Sequence, residues 1–169
     1  TAPPYLDKTS ATAVHAAVAA PPSAGAYDVN GAVRSAIGAL RAALGQHDPA
    51  LVVLSDLRTG LPDSADERNG GDGAAALVVG TLAEVVGSAA RSVELLDRWR
   101  EPTATTARTW EDRFGEQALV PIALDALDAA LADAGLAVGD VDHLVVVGSH
   151  DPAARTLRKR LASSARSVV

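Results

Sequence analysis

The chain has no cysteine among its 169 residues, so it can form no disulfide, no thiolate metal site and no cysteine nucleophile. Basic side chains number 15 against 21 acidic ones, for a net charge of -6, and the basic run at 155–160 is short. Because neutralising phosphates requires clustered positive charge, we expect no nucleic-acid partner. No apolar run approaches the roughly 18 residues of a membrane span, and no signal-peptide pattern is present. We therefore expect a cytoplasmic protein without a membrane partner.

Methionine is also absent, and the chain begins with Thr1. Both features hint that the sequence is part of a longer natural chain. Its apolar content of 48% nevertheless suits an ordinary globular domain with a real core.

Hydrophobic periodicity predicts alternating helices and strands. Helical spacing covers 32–44 and 115–135, and helices are also predicted for the alanine-rich segment at 10–20 and, from its capping residues, for the segment from Asp151 onward. Strands are predicted at 26–29, 50–57, 73–80 and 142–150. We expect an extended segment at 83–95 to pair with the strand at 73–80 as a hairpin. The alternation is typical of an α/β fold with a mainly parallel sheet.

Several details of these elements are predicted as well. The valine-rich runs at 50–57 and 142–150 are typical of strands buried on both faces, and the polar stretch between 57 and 73 is expected to be a surface loop. Pro121 should fall in the first turns of its helix or kink it. Asp151 is expected to cap the last helix, with Pro152 at its first position.

Two segments place a strand, a polar turn and a helix start in succession, AYDVNGAVRSAI from 26 and DHLVVVGSHDPAARTL from 142. Functional groups of α/β proteins collect at such strand ends, and a helix N-terminus stabilises an anion there. Val33 and His150 occupy these two positions. The first junction thus has a valine where many enzymes present a nucleophile.

His150 follows the LVVV run directly and lies between Ser149 and Asp151. Its imidazole could serve as a general acid or base, or donate an N–H to an oxyanion. The alternative is a structural histidine that bonds a nearby carbonyl at a helix start. His15, His47 and His143 are expected to be surface or packing residues.

The loop after the second predicted strand carries Asp63, Asp66, Glu67 and Asp72. Their spacing does not match a calcium-binding loop, which requires alternating oxygen ligands and a closing glutamate. The following RNGGDGAAA lacks the Gly-Lys-Ser/Thr of a phosphate-binding loop and precedes a strand. We therefore expect a solvated loop and no metal site.

The order of these motifs resembles the thiolase-like condensing enzymes, in particular relatives similar to hydroxymethylglutaryl-CoA synthase and ketoacyl synthase III. The resemblance covers nearly the whole chain. It is carried by TAPPYLDKTSATAVHAAV, DVNGAVRSAIGALRAAL, WEDRF and DHLVVVGSHDPAARTLRKRL. The most specific part is a D-x-R-x-G-x-P-x-S-like loop followed by GDGAAA, here Asp56, Arg58, Gly60, Pro62, Ser64 and 71–76.

The resemblance implies a five-layered αβαβα fold with a mainly parallel mixed sheet, of which this chain is an incomplete part. Residues 1–100 would be part of the first thiolase-like half, 101–114 a linker, and 115–169 the start of the second half. Members of the family acylate a cysteine at the N-terminus of a buried helix and use a histidine from the second half.

By position, the family's N-A-C pattern falls on Gly31, Ala32 and Val33, so valine stands at the nucleophile position. The histidine of the H-Q-A-N-x-R pattern falls on His150 and its arginine on Arg155, which would bind substrate. The residues at 151–153 depart from that pattern. The acidic residue of the synthases is absent, because Ala2 and Pro3 stand in its place.

The resemblance implies an acyltransferase-family homologue without the condensing nucleophile, serving as a binding or scaffolding subunit. A cysteine-independent aldolase or lyase, or an acyltransferase component, acting on CoA thioesters with His150 as proton carrier is the first alternative; a purely structural dimer-packing protein is the second. A CoA thioester is the expected ligand, and no tightly bound cofactor is expected. The implied partners are a second copy, giving a homodimer, or another chain in a hetero-oligomer, including an OB-fold protein with a zinc ribbon.

Overall fold

The computed structural model describes residues 7–31, 34–57, 59–96 and 98–169. The chain divides into two compact units, Thr1–Leu82 and Ala83–Val169, and each contains both helices and strands. The predicted α/β class is therefore confirmed. Within the described ranges, no helix combines the length and apolar character needed to cross a membrane.

The first unit begins with helix α1, Ala11–Ala17, as the alanine-rich segment predicts. Both carboxylate oxygens of Asp28 cap this helix, since they accept the backbone N–H groups of Ser10 at 2.6 Å and of Ala11 at 2.7 Å. The predicted strand at 26–29 is wrong. No other described segment pairs with this stretch, and Asp28 satisfies the helix terminus instead.

Helix α2, Ser35–Leu44, follows the predicted apolar periodicity and ends at Gly45. It packs on strand β1, Ala50–Asp56, and Ala43 of the helix and Val52 of the strand are both buried. The helix start predicted at 32–33 lies outside the described residues.

Strand β1 pairs antiparallel with β2, Gly73–Val79, in an uninterrupted register from Ala50 opposite Val79 to Asp56 opposite Gly73. Burial on both faces of β1 was a wrong expectation, because only Val52 in this strand is buried while Leu51 and Val53 are each 44% exposed. The hairpin predicted between 73–80 and 83–95 is also wrong. β2 forms its backbone hydrogen bonds with β1, so its partner strand precedes it in the chain and is not the segment at 83–95.

The connection between the two strands is a surface loop, as predicted, but it contains a short helix α3, Ala65–Asn69. Ser64 caps α3 by accepting the N–H of Glu67 at 3.1 Å, and the Glu67 carboxylate accepts the N–H of Asp63 at 2.6 Å. This reciprocal arrangement satisfies backbone donors at the helix start and resembles a capping box. It gives the Glu67 carboxylate a structural role in the loop.

The second unit is organised around helix α4, Asp112–Ala134, which ends at Gly135 in the left-handed conformation with φ 68°. It begins earlier than the predicted 115, so Pro121 lies in the helix interior rather than its first turns. Before it, two strands of two residues each, β3, Arg98–Trp99, and β4, Arg108–Thr109, pair antiparallel. A 3-10 helix, Val138–Asp140, follows.

Residues 83–96 run along α4 without joining a sheet. The Ser88 N–H donates to Asp133 at 2.9 Å, and the Arg91 guanidinium pairs with Asp125 at 2.5 Å. Gly87 approaches the helix backbone so closely that a Cβ there would lie 2.6 Å from the Ala130 carbonyl oxygen. The predicted extended segment is thus held by a helix and not by a strand.

Helix α5, Asp151–Leu161, packs on α4 and forms the core of this unit, where Val120, Ala153 and Leu157 are buried together. The predicted cap is wrong by one residue. His150, not Asp151, is the N-cap, because an imidazole nitrogen accepts the backbone N–H of Ala153, the third residue of the helix.

The run at 142–150 forms a minimal parallel pairing with the C-terminal residues. Leu144 and Val146 donate their N–H groups to Ser167 and Val169 at 2.8 and 2.9 Å. Complete burial is a wrong expectation here, since Val145 is 64% and Val147 82% exposed. Both named strand pairs of the described residues are antiparallel, so a mainly parallel sheet and the αβαβα layers are not confirmed.

Candidate functional site

His150 lies where the extended run at 144–147 turns into α5. Its Nδ1 accepts the N–H of Ala153 at 3.1 Å, which caps the helix. An accepting Nδ1 carries no proton, so a neutral ring in this arrangement has its proton on Nε2. The half-buried imidazole is therefore fixed in one tautomer and orientation by the helix that it begins.

Gly115, in the first turn of α4, lies against the other edge of the same ring. A Cβ built on Gly115 would be 2.4 Å from Nε2 and 2.7 Å from Cδ2, far inside van der Waals contact. Nε2 itself is enclosed, with almost no solvent-accessible surface. The histidine thus caps one helix while its ring packs against the backbone of another.

A hydrogen bond beside this contact also joins the two helices. The Thr156 hydroxyl donates to the Glu116 carboxylate at 2.6 Å, and both side chains are partly buried. Since Gly115 meets His150 and Glu116 meets Thr156, the N-terminal turns of α4 and α5 lie side by side. Sequence reasoning missed Gly115 and Glu116; the one available signal for Gly115 was an isolated glycine within a helical pattern.

Arg155 is exposed on α5, next to the buried Ala154. Further along the helix, the Arg158 guanidinium donates to the Val146 carbonyl at 2.9 Å, which ties α5 to the preceding extended run. Arg155 and Arg158 therefore differ, because the structure gives Arg158 a contact within the fold and leaves Arg155 at the surface. A role of Arg155 in substrate binding stays a prediction.

Val33, at the predicted nucleophile position, lies outside the described residues, as do Ala32, Arg58 and residues 1–6. The predicted proximity of Val33 to His150 therefore stays a prediction. Of the D-x-R-x-G loop, Gly60 is described: a Cβ there would lie 2.2 Å from the backbone nitrogen of Glu67. This glycine lets the loop close onto α3.

The remaining histidines match the predicted surface or packing roles. His15 contacts the Pro21 carbonyl through Nε2 at 3.1 Å, which closes the turn after α1. His47 and His143 are exposed. Neither the acidic loop nor these histidines form a group that could hold a metal ion within the described ranges.

No protein-family model matches the chain, and no curated protein matches its sequence. Solved structures that share its fold include two with CoA or an acyl-CoA bound. One, an HMG-CoA synthase complexed with CoA, matches 85% of this chain with a TM-score of 0.72 at 18% identity. The other, MvaS in complex with 3-hydroxy-3-methylglutaryl coenzyme A, matches 93% with a TM-score of 0.69 at 21% identity.

The chain spans 39% and 43% of the length of these two structures, respectively. At this identity the match establishes the fold alone. The chain therefore has an HMG-CoA synthase-like fold over the matched part, and the resemblance to thiolase-like proteins is confirmed at that level.

Proposed function

We propose that this protein is a non-condensing, thiolase-like subunit that binds a CoA thioester without forming an acyl-enzyme. The observation that carries the proposal is an HMG-CoA synthase-like fold in a chain without a single cysteine. One of the matched structures is complexed with CoA and the other with an acyl-CoA. A CoA thioester is accordingly the ligand class that we assign to this chain.

The absence of cysteine bears directly on the chemistry. Covalent acyl transfer by a condensing enzyme requires a thiolate to attack the thioester carbonyl. Valine, at the position that the resemblance assigns to the nucleophile, has no lone pair to donate. Binding without acylation is the activity that this sequence supports.

The geometry at His150 favours a structural role over proton transfer. Its Nδ1 is engaged with the Ala153 N–H, and its enclosed Nε2 faces Gly115. A general acid or base has to come within hydrogen-bond reach of the proton that it transfers. In the arrangement described, a ligand would reach Nε2 only if Gly115 or the start of α5 moved. This contact supports the scaffold over the lyase alternative.

Calorimetric titration of the purified chain with acetyl-CoA and with free CoA tests the proposal, followed by mass spectrometry of the protein and of the small molecules. We expect saturable binding with neither an acyl adduct nor a cleaved product. A cleaved product formed without an acyl adduct would instead establish a cysteine-independent lyase, provided that His150→Asn no longer forms the product. No binding would contradict the proposal and favour a structural dimer-packing protein.

Arg155 is the residue that we assign to the anionic part of the ligand. Arg155→Gln should weaken CoA binding several-fold, because it removes one charge-assisted contact. Arg160→Gln is the matched control, since it removes an exposed arginine from the same helix. Equal effects of the two variants would show that only the net charge of α5 matters.

Restoring the thiol tests the position of the lost nucleophile. In Val33→Cys the new thiol is the only one in the chain, so an added acetyl group can be assigned without ambiguity. We expect acetylation of this variant by acetyl-CoA well above that of Ser163→Cys, which places a lone thiol at an exposed site. Similar acetylation rates in both variants would mean that Val33 does not occupy a nucleophile site.

The partner with an OB-fold and zinc ribbon, and the cytoplasmic location, remain predictions.

A further inference from the structure

Both asparagines of the chain are followed by glycine, Asn30 by Gly31 and Asn69 by Gly70. Asparagine is a thermolabile residue, because the backbone nitrogen that follows it is able to attack its side-chain amide. Glycine favours this attack, since it has no Cβ to hinder the nitrogen and leaves the backbone free to rotate. Each Asn-Gly pair is therefore a candidate site for a covalent change of the chain.

The reaction needs only water and a base. After the base removes the proton of the glycine N–H, the nitrogen bonds to Cγ of the asparagine, the Cγ–Nδ2 bond breaks and ammonia leaves. Water then opens the resulting succinimide ring. Opening at Cγ gives aspartate, whereas opening at the main-chain carbonyl gives isoaspartate, in which the backbone runs through an additional carbon atom. In sum, asparagine and water yield an acidic residue and ammonia, with no change of oxidation state.

The two pairs differ in the availability of the attacking nitrogen. The N–H of Gly70 donates to the Asp66 carbonyl at 2.8 Å, where the chain leaves α3. Among the described residues, none accepts the N–H of Gly31, and none forms a hydrogen bond with the Asn30 side chain. A nitrogen that donates a hydrogen bond has to give it up before it loses its proton and attacks. The fold therefore favours reaction at Asn30.

The backbone around the two asparagines differs in the same direction. Asn30 is exposed and lies outside any helix or strand, and a Cβ on Gly31 would meet nothing within 4 Å, so there is space for a succinimide ring. Asn69 is the last residue of α3. Ring closure there requires the end of the helix to open first.

Asn30 also lies in a segment that leads from one helix to the next. Asp28 caps the start of α1, and a Cβ on Gly38 of α2 would lie 3.9 Å from Cγ1 of Val29, which places Val29 close to α2. An isoaspartate at position 30 would lengthen the backbone of this segment. Either product would add a negative charge three residues before Val33.

We propose that Asn30 is a site of spontaneous deamidation, with water as the co-reactant, and that the fold protects Asn69 from the same reaction. The modification goes beyond the proposed ligand binding and does not depend on it.

Mass spectrometry of tryptic peptides tests the proposal, because cleavage after Arg34 and Arg68 places the two asparagines in separate peptides. The full chain is incubated at mildly alkaline pH in water enriched in heavy oxygen and is then digested in ordinary water. Only deamidation during the incubation then introduces the heavy isotope. We expect Asn30 to be converted roughly 3- to 10-fold faster than Asn69, because the Gly70 nitrogen has to give up its hydrogen bond first.

The same incubation in guanidinium chloride is the control for the intrinsic reactivity of each pair. Unfolding frees both glycine nitrogens, so the two asparagines should then react at similar rates. Ser64→Ala is the matched variant, since it removes the side-chain cap of α3. It should speed the conversion of Asn69 about 2- to 5-fold and leave the rate at Asn30 unchanged.

A folded chain in which Asn69 is converted as fast as Asn30 would overturn the proposal. So would a ratio of the two rates that is the same in the folded and the unfolded chain, because the neighbouring residues and not the fold would then set both rates. A folded chain without heavy oxygen at Asn30 would overturn it as well.

Discussion

Gly115 and His150 fit together only because Gly115 has no side chain: a Cβ there would lie 2.4 Å from Nε2 of the imidazole. Such a distance is too short for any real contact, so either the ring or the first turn of α4 would have to move. The contact joins the starts of two helices whose shared core contains Val120 and Leu157. Gly115 is thus a packing requirement, although glycine is a poor helix former.

We predict that Gly115→Ala lowers the free energy of unfolding by about 1–2 kcal/mol, because the cost of overpacking exceeds the gain in helix propensity. In a His150→Ser background the smaller side chain still caps α5 but leaves room for the methyl group. There the same change should be neutral or stabilising by up to about 1 kcal/mol. Urea unfolding of the four proteins of this double-mutant cycle measures the coupling. An equal loss in both backgrounds would contradict the contact.

Asp28 holds the start of α1 through two backbone N–H groups, at 2.6 and 2.7 Å. We predict that Asp28→Ala costs about 1–2 kcal/mol of unfolding free energy, and that Asp28→Asn costs less because its amide oxygen still accepts one bond. Denaturant unfolding monitored by circular dichroism measures both changes. Asp48→Asn, at an exposed loop residue, should have almost no effect. If Asp28→Ala behaved like this control, the cap would not contribute to stability.

The helices were the most predictable part of the fold. Apolar spacing located α2 and α4, and continuous apolar runs located β1 and β2, because burial of a face or of a whole segment leaves a pattern in the sequence. Strand pairing leaves no such trace. The segment at 83–96 has the composition of a strand, yet it lies along α4, and β2 pairs across a loop with β1. The β-propensity of a segment indicates that it fits an extended conformation, but it does not indicate which other segment it pairs with.

The candidate site shows the same limit. The strand-to-helix junction identified His150, because its position follows from the local sequence. Its contacts with Ala153 and Gly115 were not predictable, since Asp151 is the more usual capping residue and Gly115 is 35 positions away in the chain. Local sequence therefore located the residue, and only the packing of α4 against α5 revealed what it does.

Ala19 has a φ of 51°, in the left-handed region that disfavours residues with a Cβ. It follows α1, where the N–H of Ala20 donates to the His15 carbonyl at 3.0 Å and closes the helix. Glycine is the usual residue at such a position. We predict that Ala19→Gly raises the unfolding free energy by about 0.5–1 kcal/mol. Ala16→Gly, inside α1, should lower the unfolding free energy by a similar amount. A thermal scan in which the Tm of both variants shifts in the same direction would contradict the prediction.

The exposed pair of Arg91 and Asp125 should make the second unit sensitive to acid. The hydrogen bond from Arg91, together with its charge, lowers the pKa of the Asp125 carboxyl below its usual 3.8. A carboxyl whose pKa is lower in the folded state contributes stability above its unfolded pKa and loses it as the pH falls through the folded pKa. We therefore expect the attachment of residues 83–96 to α4 to weaken below about pH 4. Both side chains are partly exposed, so the effect should be small and should decrease further at high salt.

Carboxyl chemical shifts recorded by NMR during an acid titration measure this directly. In the unaltered chain the titration midpoint of Asp125 should lie below 3.8, and Arg91→Gln should move it upward toward that value. Arg166→Gln, which removes the partner of Asp142 instead, should leave the Asp125 midpoint unchanged. Because Arg91 is the largest cause of the lowered pKa, a midpoint insensitive to Arg91→Gln would mean that the ion pair does not form in solution. The Ser88 hydrogen bond and the close approach at Gly87 would then remain to hold residues 83–96 along α4.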